Sequence, residues 1–338
     1  MAKLTAIELC AGAGGQALGL HQAGFDHLCL VDNDKHCVRT LKQNVYDWRF
    51  RASLEDLREF DPTPYTGVDL VAGGLPCPPF SVAGKQLGKD DERNLFDVGI
   101  DIVASVKPRA VMFETVTGIM QDKFSSYRKE IESRLNDLGL SAGWHVVQAS
   151  DYGVPQLRPR AILVAIRDPY FELFAPPSPF SAPPKTVGEA LFDLMAASGW
   201  RGASDWKQKA DDIAPTLVGG SKKHGGPDLG PTRAKKAWAK LGVNGKLVAY
   251  DPPNEDFEGL PYLTVRMAAR LQGFPDDWAF SGKKTNAYRQ VGNAFPPPVA
   301  RAFGTQIRKV LLQIPRPEPI KQLDFSDQHP EFLPSQAA

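Results

Sequence analysis

Short apolar runs of strand length alternate with helical stretches through the first half of the chain, and this alternation constrains its fold more than any other feature. LTAIEL, HLCLVD, VDLVAGG and AVMFE have strand length, and QALGLHQAG, HCVRTLKQNV and NLFDVGIDIVASV lie between them. Strands that alternate with helices are typical of the α/β class. We therefore predict a doubly wound, mostly parallel sheet, to which the later run AILVAI at 161–166 adds a strand.

The regular alternation ends near residue 170. From there to about residue 262 the chain is rich in Pro, Gly and Lys, whereas VARAFGTQIRKVLLQI (299–314) again reads as an amphipathic helix, opened by a proline run. The last residues are polar and proline-rich, which is typical of a mobile end. These changes predict a main domain of residues 1–170 plus 262–315, a smaller inserted domain of residues 171–261, and a mobile tail of residues 316–338.

Composition and charge exclude some classes of protein and favour others. No run of about 18 apolar residues is present, and the start leads directly into a strand pattern, so we expect neither a membrane span nor a signal peptide. The four cysteines lack the paired spacing of zinc sites and read as reduced thiols, which favours the cytoplasm. The formal net charge is only +1, but residues 201–250 hold 10 Lys and Arg against 4 Asp and Glu. This local excess predicts a surface that faces phosphates.

A glycine-rich turn joins the first strand pattern to the first helix. Its glycines are Gly12, Gly14 and Gly15. They let the backbone approach a ligand at a helix N-terminus, although their GxGG spacing differs from the dinucleotide fingerprint. Asp32 ends the next strand, where a carboxylate can accept the hydroxyls of a ribose, and Asp56 could hold an adenine amino group. The turn therefore predicts a nucleotide-like cofactor site. The alternatives are a turn that only reverses the chain and a solvated helix face at Glu55 and Asp56.

A proline-rich loop, GGLPCPPFS (73–81), follows the strand VDLVAGG. It places Cys77 at the carboxyl end of a central strand, where open α/β sheets hold their sites. Because a few per cent of a cysteine is already thiolate at neutral pH, Cys77 is a candidate nucleophile. An inert buried thiol is the alternative, and it is the better interpretation for Cys29 and Cys37, which lie in strand and helix patterns.

Three further charged residues follow later strand patterns. Glu114 ends AVMFE at the same predicted sheet edge as Cys77, and a protonated glutamate there can bind N3 and the amino group of a pyrimidine. Arg158 and Arg160 lie two apart on an extended segment, so they face the same way and suit a carbonyl oxygen and a phosphate. On local evidence a surface glutamate and a solvated arginine pair remain alternatives.

In this order the motifs are similar to those of a known family. ELCAGAGG, GGLPCPPFS, DERNLF, FETV, QLRPR, LTVRMAARLQGFPDDW and YRQVGNAFPPPVA follow one another as they do in the bacterial DNA (cytosine-5)-methyltransferases. The chain resembles that family over nearly its whole length. The resemblance implies a Rossmann-like methyltransferase fold and S-adenosylmethionine as cofactor. It implies methyl transfer to carbon-5 of a cytosine that is flipped out of duplex DNA.

The resemblance also implies roles for the site residues. Cys77 would add to carbon-6 of the cytosine while Glu114 stabilises the ring at N3 and the amino group. Arg160 would hold the base carbonyl, and Arg158 would lie near a phosphate or support the thiolate. No metal is required, and the base that removes the carbon-5 proton is not evident. The cofactor-binding set that the resemblance implies is Cys10, Gly12, Gly14, Gly15, Asp32, Asn33, Asp56 and Asn293.

Three positions depart from the family pattern, and two other functions remain open. Cys10 stands where the family usually has Phe, Thr115 where it has Asn, and Asp32 where it has Glu. None of these changes removes a group that makes or breaks a bond. The alternatives are an RNA cytosine methyltransferase of the same fold and a catalytically silent DNA-binding homologue.

In this family the gap that residues 171–261 span holds the target-recognition domain. TRAKKAWAKLG predicts a helix with Thr232 as N-cap and Gly242 as terminator, and SKKHGG is a basic, glycine-rich loop. A solvated basic face is the alternative to DNA contact. We expect double-stranded DNA as partner, a monomer near the bacterial nucleoid, and leave open a cognate restriction endonuclease. The candidate DNA contacts are Lys222, Lys223, His224, Lys235 and Lys236.

Overall fold

The structure is a computed structural model that describes residues 4–44, 48, 50–76, 94–219 and 227–315. Within these ranges the chain forms nine strands and ten α-helices. In chain order they are β1 (Leu4–Leu9), α1 (Gly15–Gln22), β2 (Phe25–Asp32), α2 (Lys35–Asn44), β3 (Arg51–Leu54), β4 (Leu70–Gly74), α3 (Phe96–Val106), β5 (Ala110–Thr115), α4 (Ser125–Asp137), β6 (Leu140–Gln148), β7 (Gln156–Leu157), β8 (Pro159–Arg167), α5 (Val187–Ala196), α6 (Ala203–Lys209), β9 (Ala214–Pro215), α7 (Thr232–Lys240), α8 (Val265–Leu271), α9 (Lys284–Asn293) and α10 (Pro297–Leu311).

Seven strands form one sheet in the order β3-β2-β1-β4-β5-β8-β6. The first five pair in parallel, and β8 lies antiparallel between β5 and β6. The predicted mostly parallel sheet is therefore confirmed. The chain steps outward from β1 to β2 and β3 and then returns to the other side of β1 with β4 and β5. This reversal between β1 and β4 opens a crevice at the carboxyl ends of the strands, where ligands bind in such sheets.

Helices cover both faces of this sheet because its central strands are apolar on both sides. On one face Leu20 of α1 and Phe303 of α10 pack against the sheet. On the other face Ile100 of α3 and Ile131 of α4 share a core with Phe113 of β5. This arrangement leaves the carboxyl edge of the sheet open. None of the helices among the described residues is long and apolar enough to cross a membrane.

The inserted segment predicted at residues 171–261 shares a core with the rest of the chain. Val187 of α5, Trp206 of α6 and Trp238 of α7 belong to one apolar cluster with Met267 of α8. The short parallel pair of β7 and β9 also joins the segment to the main body. The domain boundaries therefore stay a prediction, and the tail at residues 316–338 lies outside the described residues.

Helix α7 begins one residue earlier than the sequence pattern predicts. Pro231 has extended backbone and its carbonyl accepts the amide of Lys235 at 3.0 Å, so Thr232 is already helical and its side chain makes no capping bond. The assignment of Thr232 as N-cap is wrong. Gly242 takes a φ of 69° just after the helix, a conformation that favours glycine, and the predicted terminator is confirmed.

A buried ion pair joins the amino edge of the sheet to the end of α10. Arg109 Nη1 lies 2.5 Å from Asp69 Oδ1, and both side chains are buried. The guanidinium also donates to the carbonyls of Leu311 and Ile314, while Asp69 accepts the amide of Thr5 at 2.8 Å. One arginine thus links β1, the two segments that lead into β4 and β5, and the last turn of α10.

Replacing Arg109 by Leu should lower the free energy of unfolding by about 3–5 kcal/mol, because Asp69 would keep a buried charge without its partner. Urea denaturation measures this loss. Arg134→Leu is the matched control, since Arg134 pairs with Asp97 and Asp101 in a more exposed position and should cost only about 0–1 kcal/mol. Equal losses in the two variants would contradict the role given to the buried pair.

Candidate active site

A cavity of about 330 Å³ lies at the carboxyl edge of the sheet, beside the crevice between β1 and β4. Its walls come from the turn after β1, the ends of β2 and β4, the loop after β3, and the C-terminal half of α9. Acidic side chains dominate its polar lining, and among the described lining residues Arg289 is the cation. Such a cavity suits a ligand that carries positive charge and hydrogen-bond donors.

The turn after β1 is held in shape by Asp32. The backbone takes positive φ at Cys10, Gly12 and Gly14, which brings the turn back toward the end of β2. Asp32 Oδ2 accepts the amide of Gly12, and its Oδ1 accepts the amide of Asp34, each at 2.8 Å. Asp32 therefore both lines the cavity and fixes the glycine turn.

The structure brings five of the eight predicted cofactor residues to the cavity. These are Cys10, Gly12, Asp32, Asn33 and Asn293. Gly14 and Gly15 lie behind the wall instead, where a side chain would collide with Leu41 and with the carbonyl of Phe295. Their lack of a side chain serves packing at the start of α1.

Asp56 is the remaining member of the predicted cofactor set. Its carboxylate faces Arg58, whose Nη1 lies 3.2 Å away, while the neighbouring Glu55 and Leu57 line the cavity. Of the two neighbouring acidic residues, Glu55 and not Asp56 lines the cavity, so Glu55 is the one placed to reach a ligand. Leu57 supplies apolar surface beside it.

Sequence reasoning missed two polar residues at the inner end of the cavity. Glu8, on β1, and Gln16, in the first turn of α1, both line the cavity and are buried. Glu8 Oε2 and Gln16 Oε1 have no hydrogen-bond partner among the described residues. Unpaired buried acceptors are rare, and here they indicate a ligand donor. Their signal was available, since Glu8 opens ELCAGAGG and Gln16 follows it.

The donor set fits S-adenosylmethionine. Adenosine hydroxyls and amino groups, an ammonium group and a sulfonium all present positive charge or donors, and the cavity presents carboxylates and amide oxygens to them. Burial and the nearby carboxylate of Asp32 raise the pKa of the Cys10 thiol above the usual range, which disfavours its thiolate.

Glu114 and Arg160 form a close pair at the same edge. Arg160 Nε lies 2.6 Å from Glu114 Oε1, and Glu114 is the parallel neighbour of Gly74 at the end of β4. Burial raises the pKa of Glu114 although Arg160 and Arg158 oppose the shift. Glu114 and Pro76 line one cavity. Cys77, which follows Pro76 in sequence, lies outside the described residues.

Arg158 occupies a different setting from the one expected. It is 1% exposed and donates to the carbonyls of Leu217, Gly292 and Ala294, each at 2.9 Å. These contacts differ from the phosphate or thiolate contacts that the resemblance implied. Arg160 alone of the two arginines pairs with Glu114, so the two guanidinium groups do not share a target in this structure.

A pair of buried glutamine side chains extends this junction. Gln156 accepts the amide of Leu217 at 2.8 Å and donates to Gln272 Oε1 at 2.5 Å. Gln272 donates in turn to the carbonyls of Val291 and Ala294. These hydrogen bonds thus connect three segments: the strand edge before Arg160, the segment near residue 217 and the end of α9.

The candidate DNA contacts are only partly described. Lys222, Lys223 and His224 lie outside the described residues. Lys235 Nζ lies 2.7 Å from Asp228 Oδ2, so its ammonium is already paired. Lys236 is exposed on α7. The two neighbouring lysines therefore differ in what they offer to a phosphate.

Comparison with known proteins gives a consistent result. The model of the family described as C-5 cytosine-specific DNA methylase matches residues 4–309. Type II methyltransferase M.NaeI of Lentzea aerocolonigenes is 53% identical over 315 residues, which cover 92% of this chain and 76% of that protein. Type II methyltransferase M.NgoMIV of Neisseria gonorrhoeae is 49% identical over 91% of this chain and 98% of that protein. The methyltransferase EhMeth of Entamoeba histolytica shares the fold, with a TM-score of 0.63 at 15% identity over 93% and 99% of the two chains.

A doubly wound sheet with an acid-lined cavity at its switch point defines an enzyme of the Rossmann-like methyltransferase class. The chain belongs to the C-5 cytosine-specific DNA methylases. It is therefore a DNA methyltransferase that uses S-adenosylmethionine as methyl donor and methylates cytosine at carbon-5.

The two arginines should respond differently to replacement. Arg158→Met should cost more than about 3 kcal/mol of stability, since three buried carbonyls would each lose a donor and Ala294 would keep only Gln272. Arg160→Met should cost much less, because Glu114 can take up a proton once the guanidinium is gone, but it should lower kcat by about 100-fold or more. Urea denaturation and tritium transfer to duplex DNA measure the two effects. A large loss of stability in Arg160→Met with normal turnover in Arg158→Met would contradict this division.

Proposed function

We propose that this chain methylates one specific duplex DNA sequence, with Cys77 as nucleophile and with Glu114 and Arg160 acting on the flipped cytosine. The observation that carries this proposal is the 2.6 Å contact of Arg160 with Glu114 beside the cavity that Pro76 also lines. Bisulfite sequencing of DNA from an expressing host tests it and identifies the target site. Methylation of RNA but not of duplex DNA would contradict it.

In this proposal each residue handles a defined part of the base. Glu114, whose raised pKa favours a proton, donates to N3 and accepts from the amino group. Arg160 orients Glu114 and holds the base carbonyl. The ring then accepts the thiolate of Cys77 at carbon-6 and becomes nucleophilic at carbon-5. S-adenosylmethionine supplies the methyl group when it is bound. Loss of the carbon-5 proton expels Cys77.

Arg158 supports this chemistry indirectly. Its bonds to the carbonyls of Gly292 and Ala294 hold the end of α9, which lines the cavity, next to the strand that carries Arg160. A shift of about 1 Å in such a positioning element costs a large factor in rate. We assign Arg158 as a positioning residue.

Residues 171–261 are proposed to read the DNA sequence. Flipping the base costs a few kcal/mol, so contacts to flanking phosphates and bases must offset it. Lys236 is exposed on α7, and residues 222–224 add positive charge in the sequence. Because residues 171–261 and α8 share a core, a contact in this segment bears directly on the body that holds the cavity.

The biological setting follows from the relatives. Both of the relatives described above are named Type II methyltransferases. We propose that this chain likewise protects a recognition site against a cognate restriction endonuclease. We further propose that it acts as a monomer on the DNA of the bacterial cytoplasm. A host that carries the matching endonuclease should survive only when this chain is also expressed, and this survival assay tests the pairing.

A mechanism-based trap tests the nucleophile. Duplex DNA with 5-fluorocytosine at the target position should form a denaturant-stable adduct in the presence of cofactor, because fluorine cannot leave as a proton does and Cys77 stays bound to carbon-6. Cys77→Ala should give no adduct and no methylation while it still binds the cofactor. Cys29→Ala is the control and should form the adduct. Turnover of Cys77→Ala within tenfold of the natural protein would exclude Cys77 as nucleophile.

The two lysines of α7 provide a test of the DNA-facing surface. Lys236→Ala should lower the slope of log binding constant against log salt by about 1, as expected for one lost phosphate contact. Lys235→Ala should leave that slope unchanged, since its ammonium pairs with Asp228. Filter binding at several salt concentrations measures both slopes. Equal decreases would show that Lys235 leaves Asp228 to bind DNA.

A further inference from the structure

The inner end of the cavity holds two oxygen atoms that lack a donor. Glu8 is 1% exposed and Gln16 is 3% exposed. Gln16 Nε2 donates to the carbonyl of Met112 at 3.3 Å, which leaves its Oε1 without a partner, and Glu8, whose Oε2 is also unpaired, lines the same cavity. Leaving such acceptors unpaired costs about 1–3 kcal/mol each, so a ligand that donates to both gains affinity.

The groups that face Glu8 give it no positive partner. His27 of β2 has its Nε2 3.6 Å from Glu8 Oε2, but burial lowers the pKa of His27 to about 3, so this ring is neutral. Asp32 at the end of β2 is an anion, and Cys10 on the following turn stays protonated. The backbone amide of Ala17 in α1 is the donor that Glu8 does have.

A carboxyl group in this setting favours its neutral form. Burial raises the pKa of Glu8 well above its usual range, and the repulsion from Asp32 adds to the effect. The Ala17 amide opposes the rise only in part. A cation placed against Glu8 Oε2 would instead favour the ionised form of Glu8, because an opposite charge within about 4 Å stabilises the carboxylate.

The cofactor carries such a cation at its amino-acid end. Asp32 and Glu55 line other walls of the cavity, where the resemblance places the ribose and where the structure offers an acceptor for the adenine. An ammonium group has three donors, enough for Glu8 Oε2 and Gln16 Oε1 together. The two unpaired oxygens therefore match the one part of the cofactor that is both charged and rich in donors.

We propose that Glu8 carries a proton in the ligand-free protein and releases it when the ammonium group of the cofactor binds between Glu8 and Gln16. The carboxylic acid becomes a carboxylate, its proton passes to the solvent, and the ammonium keeps its own three protons. This inference rests on the proposed cofactor cavity and adds a charge change to cofactor binding. Cofactor affinity should then rise with pH, by up to about tenfold per unit, until the pH passes the value at which free Glu8 ionises.

Calorimetry with S-adenosylhomocysteine measures the proton directly. This ligand keeps the amino-acid end and cannot react. At pH 6.5 its ammonium is already protonated in solution. Titrations in buffers of different ionisation enthalpy should show release of close to one proton per ligand bound. 5′-Methylthioadenosine lacks the amino-acid end and should bind without proton release. Equal release with both ligands would overturn the proposal.

Two variants locate the source of the proton. Glu8→Gln should abolish proton release and flatten the pH dependence of the dissociation constant. Glu55→Gln is the matched control, because Glu55 lines the same cavity but is partly exposed and pairs with Arg51, so the number of protons released per bound ligand should persist even where the affinity falls. Unchanged release in Glu8→Gln would overturn the proposal. Absence of any S-adenosylhomocysteine binding by the natural protein would instead contradict the cofactor cavity itself.

Thermal unfolding gives a readout that does not depend on ligand binding. A buried carboxyl with a raised pKa contributes stability at pH values near and below its unfolded pKa, and this contribution is lost as the pH rises through its folded pKa. Glu8→Gln should therefore raise the melting temperature relative to the natural protein more at pH 8 than at pH 5. A difference that does not vary with pH would show that Glu8 is ionised throughout and would refute the protonated state.

Discussion

Arg158 bonds together parts of the chain that the sequence keeps far apart, and the site depends on this contact. Its guanidinium donates to the carbonyl of Leu217, in the segment that follows β9, and to the carbonyls of Gly292 and Ala294, at the end of α9. A planar guanidinium with five donors in a rigid fork can hold three such carbonyls at once. Because the group is buried, the carbonyls of Leu217 and Gly292 would lose this donor if the arginine were absent, whereas Ala294 would keep only its bond from Gln272.

The same junction connects the cofactor cavity to the segment proposed to read DNA. Asn293 lines the cavity, and its side chain lies where a side chain at Gly219 would have to be. Gly292 and Gly219 touch backbone to backbone, an approach that only glycine permits at both positions. The C-terminal end of α9 thus has the cavity on one side and part of residues 171–261 on the other. Cofactor binding in the cavity and the DNA contacts proposed for residues 171–261 would therefore bear on the same few backbone atoms.

Much of the sheet could be predicted because local patterns carry it. β1, β2, β4 and β5 are apolar runs, and the amphipathic α10 has a regular period, so neighbours in sequence suffice to identify them. β3 and β6 were not predicted. β3 is short and mostly exposed, and β6 mixes polar and small residues. Both become strands through pairing with β2 and β8, which is a tertiary contact.

The sequence by itself determined the family, the mostly parallel sheet and several of the residues that line the cavity, because motifs at strand ends are brought to one edge by the sheet. Asp32 and Glu114 required no more than this, whereas Asn293, at the end of α9, came from the resemblance. The tertiary structure alone decided what each charged group contacts: Arg158 holds carbonyls, Lys235 pairs with Asp228, and Glu8 lies buried beside a cavity with an unpaired oxygen. The physical reason is that burial and hydrogen-bond partners come from segments far apart in the chain. The type of a side chain limits the partners that it can bind, and its packed neighbours decide which partner it does bind.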